Sequence, residues 1–103
     1  MNGNMKVTVL EGPEVEVIIS GRLDTNSSVD FEKTIESILA GTALKVKVDC
    51  SELKYVSSSG LRLFLLLQKK LSHKNGSLRL CGLNEDVREV FDVTGFSALF
   101  LIE

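Results

Sequence analysis

The stretch LKVKVDCSELKYVSSSGLRLFLLLQKKL, residues 44–71, decides the fold because it holds a strand, a serine-rich turn and a helix in direct succession. Its first part alternates strictly between apolar and polar side chains, which predicts a strand over Leu44–Cys50 with Leu44 and every second residue after it on one face. After a short loop, Ser59 or a neighbouring serine precedes a leucine-rich helix over Gly60–Leu71, whose basic end suits the negative end of the helix dipole. A strand followed by such a helix predicts a right-handed crossover to a parallel neighbour.

Two strands and one helix are predicted before this stretch. Lys6–Glu11 and Glu14–Ser20 are runs rich in β-branched residues separated by Gly12-Pro13, which predicts an antiparallel hairpin. From Thr25 the apolar residues recur at helical spacing, with cap candidates at Thr25–Ser28 and a terminator at Gly41. The buried stripe of this helix is predicted at Phe31, Ile35, Ile38 and Leu39.

The elements after the stretch complete an alternating pattern. Asn75-Gly76 ends the leucine-rich helix, Ser77–Cys81 reads as a strand, a third helix starts at Asn84 and stops at Gly95, and Ala98–Ile102 forms the last strand. The order ββαβαβαβ predicts the α/β class, with a mixed β-sheet of about five strands, an antiparallel start and helices packed against it. Because no repeat or linker interrupts the chain, residues 1–103 are expected to form a single domain.

Composition excludes several classes of function. The 103 residues are 44% apolar and 25% charged, and 12 basic against 14 acidic side chains give a formal charge of -2. Phosphate-backbone binding needs clustered Lys and Arg, so nucleic acid is not an expected partner. The longest apolar run, Leu63–Leu67, is far shorter than the roughly 20 residues of a membrane span, which predicts no membrane insertion. Residues 1–6 lack the features of an export signal, so a cytoplasmic location is expected.

No catalytic, metal or cofactor site is expected. Cys50 and Cys81 are predicted to be buried free thiols, and with His73 they are too few for a closed zinc site. Gly-x-Ser-x-Gly and the phosphate-binding loops of nucleotide enzymes are missing. His73 follows Ser59 by a separation of roughly 20 Å along the helix and cannot serve as its general base. It is expected to be exposed near the helix C-terminus, and the protein is not expected to be an enzyme.

Ser57, Ser58 and Ser59 open the leucine-rich helix and form the candidate functional site. The unpaired N–H groups and partial positive charge of a helix N-terminus stabilise a phosphate, whether bound or formed on a serine. Gly60 is expected to allow the phosphate to approach closely. The alternative is that these serines only cap the helix, as most serines before helices do.

Four short motifs resemble the signature of STAS domains. They are Gly21-Arg22-Leu23-Asp24, Val48-Asp49-Cys50-Ser51, Ser58-Ser59-Gly60-Leu61 and Gly95-Phe96. The resemblance covers essentially the whole chain. A stand-alone domain of this size is most similar to the bacterial anti-sigma factor antagonists.

This resemblance implies a partner switch without cofactors. The unphosphorylated antagonist binds an anti-sigma factor that is also a serine kinase, phosphorylation releases it, and a serine phosphatase restores the binding form. The family's phosphorylated position maps onto Ser59, with Ser58 as the fallback. Ser57 stands where the family has an aspartate, which weakens or redirects phosphorylation, or makes Ser57 itself the modified residue. The fold is expected to stay nearly unchanged on phosphorylation.

The resemblance also implies a docking surface around Ser59. Its predicted partner-binding residues are Ser57, Ser58, Gly60, Leu61, Arg62 and the loop Asp24, Thr25, Asn26 and Ser27. Asp24 has an equal alternative, which is to accept hydrogen bonds from backbone N–H groups of its own turn. Leu63 and Phe64 are expected to be buried, with exposure as a partner anchor the alternative.

Two other functions stay open at this point. One is an unphosphorylated accessory module of a transporter or stress-sensing complex, in which the serines only cap the helix; Ser57 in place of aspartate favours it. The other is a small-molecule or nucleotide sensor that uses the anion site at the helix N-terminus.

Overall fold

The computed structural model describes residues 5–103 and has the predicted order ββαβαβαβ. The N-terminal residues considered for an export signal lie largely outside this range. A short 3₁₀ helix precedes the last strand. The elements are β1 (Met5–Leu10), β2 (Val15–Leu23), α1 (Ser28–Ala40), β3 (Lys45–Val56), α2 (Ser58–His73), β4 (Ser77–Cys81), α3 (Glu85–Val93), the 3₁₀ helix (Phe96–Leu99) and β5 (Leu101–Ile102).

The strands form one mixed sheet in the order β1-β2-β3-β4-β5, antiparallel between β1 and β2 and parallel elsewhere. Because the strands follow the chain order, right-handed crossovers place all three helices on the same face. The side chains agree: Val17, Val48 and Leu80 lie side by side and are buried, whereas the next row, which points to the other face, is partly exposed. The predicted α/β class and the mixed sheet are confirmed.

The core lies between the sheet and the helices and contains a row of aromatic rings. Phe31 of α1, Phe64 of α2, Phe91 of α3 and Phe100 follow one another with centroid separations of 5.5, 5.9 and 5.7 Å. Leu63 and Phe64 are 7% and 0% exposed, so their burial is confirmed and their use as an exposed anchor is ruled out.

The predicted end of the third strand was wrong. Strand β3 runs to Val56 instead of Cys50, and Leu44 lies before it and is 46% exposed. From Cys50 the buried positions are three residues apart, at Cys50, Leu53 and Val56, where the register against β2 shifts twice. Such bulges insert extra residues and break the two-residue alternation by which a strand is recognised. The bulged strand continues to Val56, the residue directly before the three serines.

The prediction of the last strand was also wrong in extent. Instead of a strand over Ala98–Ile102, the 3₁₀ helix occupies Phe96–Leu99, and β5 pairs with β4 through two residues only. Gly95 has a φ of 81°, a left-handed conformation that suits glycine and turns the chain sharply after α3. The 3₁₀ helix then takes up residues that the sequence pattern assigned to the strand.

The cysteines and the histidine follow their predictions with one exception. Cys50 is a free buried thiol, and burial raises its pKa to about 12. Cys81 is free but only partly buried, because it lies on the sheet face away from the helices. His73 is exposed at the last residue of α2.

We predict that Phe64→Ala destabilises the protein by about 3 to 5 kcal/mol, because it leaves a cavity between two neighbouring rings. Urea unfolding followed by circular dichroism measures the change. Val93→Ala is the matched control: Val93 is 75% exposed, so its loss should change the free energy of unfolding by less than about 0.5 kcal/mol. Equal effects of the two substitutions would contradict the assigned core.

Candidate functional site

The first turn of α2 begins at the ends of the parallel strands β2 and β3. Ser57 is the residue that caps it: its backbone is extended, and its Oγ accepts a hydrogen bond from the N–H of Gly60 at 3.2 Å. The N–H of Ser57 donates to the carbonyl of Leu23 at 2.8 Å, which ties the end of β3 to the end of β2. The helix therefore starts at a fixed point of the sheet.

Ser58 and Ser59 occupy the first two positions of α2. Ser58 is exposed and Ser59 is half-buried. Within residues 5–103, neither hydroxyl has a hydrogen-bond partner, whereas Ser57 is engaged by the cap. Ser57 therefore caps the helix, whereas Ser58 and Ser59 each have a hydroxyl that could be modified.

Gly60 has a different role from the one the sequence suggested. A Cβ at this position would lie 2.7 Å from side-chain atoms of Leu23 and 3.0 Å from Val56. The missing side chain therefore lets α2 pack closely on the ends of β2 and β3, and Gly60 does not face an incoming phosphate.

The turn at residues 24–27, which leads into α1, is held by a reciprocal pair of hydrogen bonds. The N–H of Ser27 donates to Oδ1 of Asp24 at 2.9 Å, and the N–H of Asp24 donates to Oγ of Ser27, also at 2.9 Å. The Ser27 hydroxyl further donates to the carbonyl of Arg22 at 2.8 Å. The predicted local role of Asp24 is confirmed, and these bonds from Ser27 lower the pKa of its carboxyl.

A groove of about 300 Å³ separates the first turns of the two helices and is named the α1–α2 groove here. Val29, which is 56% exposed, contributes apolar surface to it, and Glu32 and Arg62 contribute opposite charges. The full lining is Thr25, Ser28, Val29, Glu32, Ser59, Arg62, Leu63 and Leu66. Ser59, which is half-buried, thus lines this groove, whereas Ser58 does not.

The predicted partner-binding residues fall into three groups by exposure. Those on the surface are Thr25, Asn26, Ser58 and Arg62; those half-buried are Asp24 and Ser57; those buried are Ser27, Gly60 and Leu61. The buried three hold the turn and the helix in place and are not accessible on this surface. Val29 and Glu32 also line the groove and were not predicted from the sequence. Val29 could have been found as an apolar residue outside the Phe31 stripe of α1.

Among residues 5–103, no group of three His, Cys, Asp or Glu side chains is placed to hold a metal ion. Over the same range, no helix has both the length and the apolar character needed to cross a membrane.

Comparison with known proteins identifies the family. The STAS domain model matches residues 4–103, and the chain belongs to the STAS domain family. One relative, "Putative anti-sigma factor antagonist BtrV" of Bordetella bronchiseptica, is 46% identical over 82 residues, which are 80% of this chain and 71% of that protein.

Solved structures share the fold at lower identity. An anti-sigma factor antagonist from Mycobacterium paratuberculosis superposes with a TM-score of 0.86 at 20% identity, over 95% of this chain and 84% of that one. The Bacillus cell fate determinant SpoIIAA matches in two forms. Its unphosphorylated form gives a TM-score of 0.81 at 22% identity, covering 95% of this chain and 88% of that one. Its phosphorylated form gives 0.73 at 19%, covering 96% and 90%.

We predict that Ser57→Ala lowers the free energy of unfolding by about 1 kcal/mol, because Gly60 N–H loses its acceptor. Ser57→Asp should retain the stability, since a carboxylate caps equally well and suits the helix dipole. Urea unfolding of both variants tests this. Ser58→Ala is the control and should change little, since its hydroxyl has no partner within residues 5–103; an equal loss there would contradict the assignment of the cap.

The lowered pKa of Asp24 predicts a pH dependence of stability. A carboxyl whose pKa is lower in the folded state adds stability above its unfolded pKa of about 3.9, and that stability is lost as the pH falls through the folded value. Asp24→Asn should therefore flatten the acid side of the stability profile, measured by urea unfolding between pH 5 and pH 2. Glu36→Gln removes an exposed α1 carboxylate as control, and an unchanged slope in Asp24→Asn would refute the prediction.

Proposed function

We propose that this protein is a cytoplasmic, non-enzymatic anti-sigma factor antagonist that acts as one unit over residues 1–103 and works by partner switching. Unphosphorylated, it binds an anti-sigma factor that is also a serine kinase; phosphorylated, it releases that partner, and a serine phosphatase reverses the modification. Membership in the STAS family and 46% identity to a relative that carries the antagonist name support this proposal.

The observation that carries the proposal is the hydroxyl of Ser59, which makes no hydrogen bond within residues 5–103 and lies beside an open recess. Of the three serines, Ser57 is occupied by the helix cap and Ser58 projects to solvent outside the α1–α2 groove. Ser59 lines the groove, next to the exposed Thr25 of the 24–27 turn. A phosphate on Ser59 would therefore change the surface formed by both segments at once.

Ser57 in place of the family aspartate is compatible with this switch. Serine and aspartate are both good N-caps, and the Ser57 hydroxyl accepts the Gly60 N–H as a carboxylate would. The substitution removes a negative charge and keeps the geometry of the turn that presents Ser58 and Ser59. The accessory-module alternative expects all three serines only to cap the helix, whereas the cap involves Ser57 and the hydroxyls of Ser58 and Ser59 make no hydrogen bond within residues 5–103.

The chemistry of the switch is local. The kinase would transfer the γ-phosphoryl group of ATP to Oγ of Ser59, with loss of the hydroxyl proton and departure of ADP; the phosphatase would hydrolyse the new P–O bond and release phosphate. The phosphoryl group adds a charge of about -1.5 to -2 near neutral pH. A penalty of about 3 kcal/mol on docking would weaken the complex more than about 100-fold. Both forms of SpoIIAA share this chain's fold, which supports a switch without refolding.

Mass spectrometry of the protein purified from growing and stressed cultures of its own organism tests the proposal. Intact mass counts the phosphates and fragmentation locates them. We expect one phosphate on Ser59, its loss in Ser59→Ala, and its retention in the matched variant Ser58→Ala.

Two other outcomes are informative. Phosphate on Ser57 or Ser58 would keep the switch and overturn the assignment to Ser59. No phosphate in any culture, together with no transfer from ATP by a serine kinase encoded near this gene, would overturn the switch and leave the unphosphorylated accessory module.

A further inference from the structure

The guanidinium of Arg62 differs from those of the other three arginines of the chain, because within residues 5–103 it has no ion pair, hydrogen bond or aromatic ring beside it. The engaged pairs are Arg22 with Tyr55, Arg79 with Glu14 and Glu103, and Arg88 with Asp92. Arg62 is exposed and lines the α1–α2 groove. It is thus an available cation in the recess that Ser59 faces.

Ser59 and Arg62 are neighbours on the same side of α2. They are three residues apart on the helix, a spacing that brings Cβ atoms to within about 5–6 Å, and both line the same recess. A phosphoryl group would extend the short serine side chain by one further bond into that recess. The long arginine side chain can reach its oxygens without any change in the backbone.

We infer that Arg62 holds the phosphoryl group of phosphorylated Ser59 inside the α1–α2 groove as an intramolecular ion pair. The inference rests on the proposed function for the identity of the phosphorylated residue. Guanidinium donors match phosphate oxygens in a fixed fork, so the pair has defined geometry as well as charge.

The remaining charges around the groove set the direction of the phosphate. Glu32 of α1 lines the opposite wall and repels a phosphate, and Asp24 at the start of the 24–27 turn has its carboxylate bound to Ser27. The phosphoryl group is therefore drawn towards Arg62 and away from α1. It then occupies the α2 side of the groove, so phosphorylation takes space from this recess of the docking surface while Arg62 offsets part of the added charge.

The ionisation of the phosphate itself provides the test. Phosphoserine is encoded at position 59 during synthesis, and its second pKa, ordinarily about 6, is read from the ³¹P chemical shift against pH. A neighbouring cation stabilises the dianion, so the pKa should be lowered in the phosphoprotein, and Arg62→Gln should raise it by about half a pH unit. Glu32→Gln should move it the other way. Arg62→Lys, which keeps the charge and loses the fork, should restore part of the effect.

Lys69→Gln in the protein with phosphoserine at position 59 is the matched control, because Lys69 is an exposed cation of α2 that lies about 15 Å along the helix from Ser59 and does not line the groove. It should move the phosphate pKa much less than Arg62→Gln does. A phosphate pKa that is unchanged by Arg62→Gln, or an equal response to Lys69→Gln, would overturn the ion pair. Since the phosphate is installed during synthesis, this result does not depend on whether a cell phosphorylates Ser59, which the mass measurement decides separately.

Discussion

The site depends on the contact between the start of α2 and the end of β2. The carbonyl of Leu23 accepts a hydrogen bond from Ser57, and its side chain lies where a side chain of residue 60 would be. These two contacts fix how close the helix comes to the sheet and in which direction its first turn points. Because the chain turns into the 24–27 segment directly after Leu23, the same residue also places the start of α1. The starts of α1 and α2, which are 30 residues apart in sequence, are thereby brought to one surface.

Much of the fold could be predicted from the sequence where one physical pattern acts alone. Val46 and Val48 alternate with lysines and lie in β3 as predicted, and Phe31, Ile35 and Ile38 form the buried stripe of α1. Prediction failed where two patterns overlap. The bulges after Cys50 replace a two-residue period with a three-residue one, which resembles neither a regular strand nor a loop. After Gly95, aromatic and leucine side chains that would suit a strand are used in a 3₁₀ turn.

The candidate site could be located from the sequence but its internal division of roles could not. Three consecutive serines have the same chemistry. The hydrogen bond from Gly60 distinguishes the cap, Ser57, from the two serines whose hydroxyls make no hydrogen bond in the described part of the chain. Gly60 could be expected to matter, yet the reason is the Leu23 side chain, a contact between distant parts of the chain. Val29 and Glu32 were missed for the same reason: a groove between two helices exists only after both have packed on the sheet.

The 24–27 turn and the first turn of α2 are each held by hydrogen bonds between residues close in sequence, directly after the ends of β2 and β3. This local order has a consequence for the rate of binding. A segment that must first become ordered pays a conformational entropy cost on association, and this cost weakens binding. Here the reciprocal bonds between Asp24 and Ser27 and the cap at Ser57 already order both turns in the folded protein, before any association. On the proposed function, a partner would meet a surface that is already in its binding shape, and the charge of one added phosphate would act directly on its rate of association.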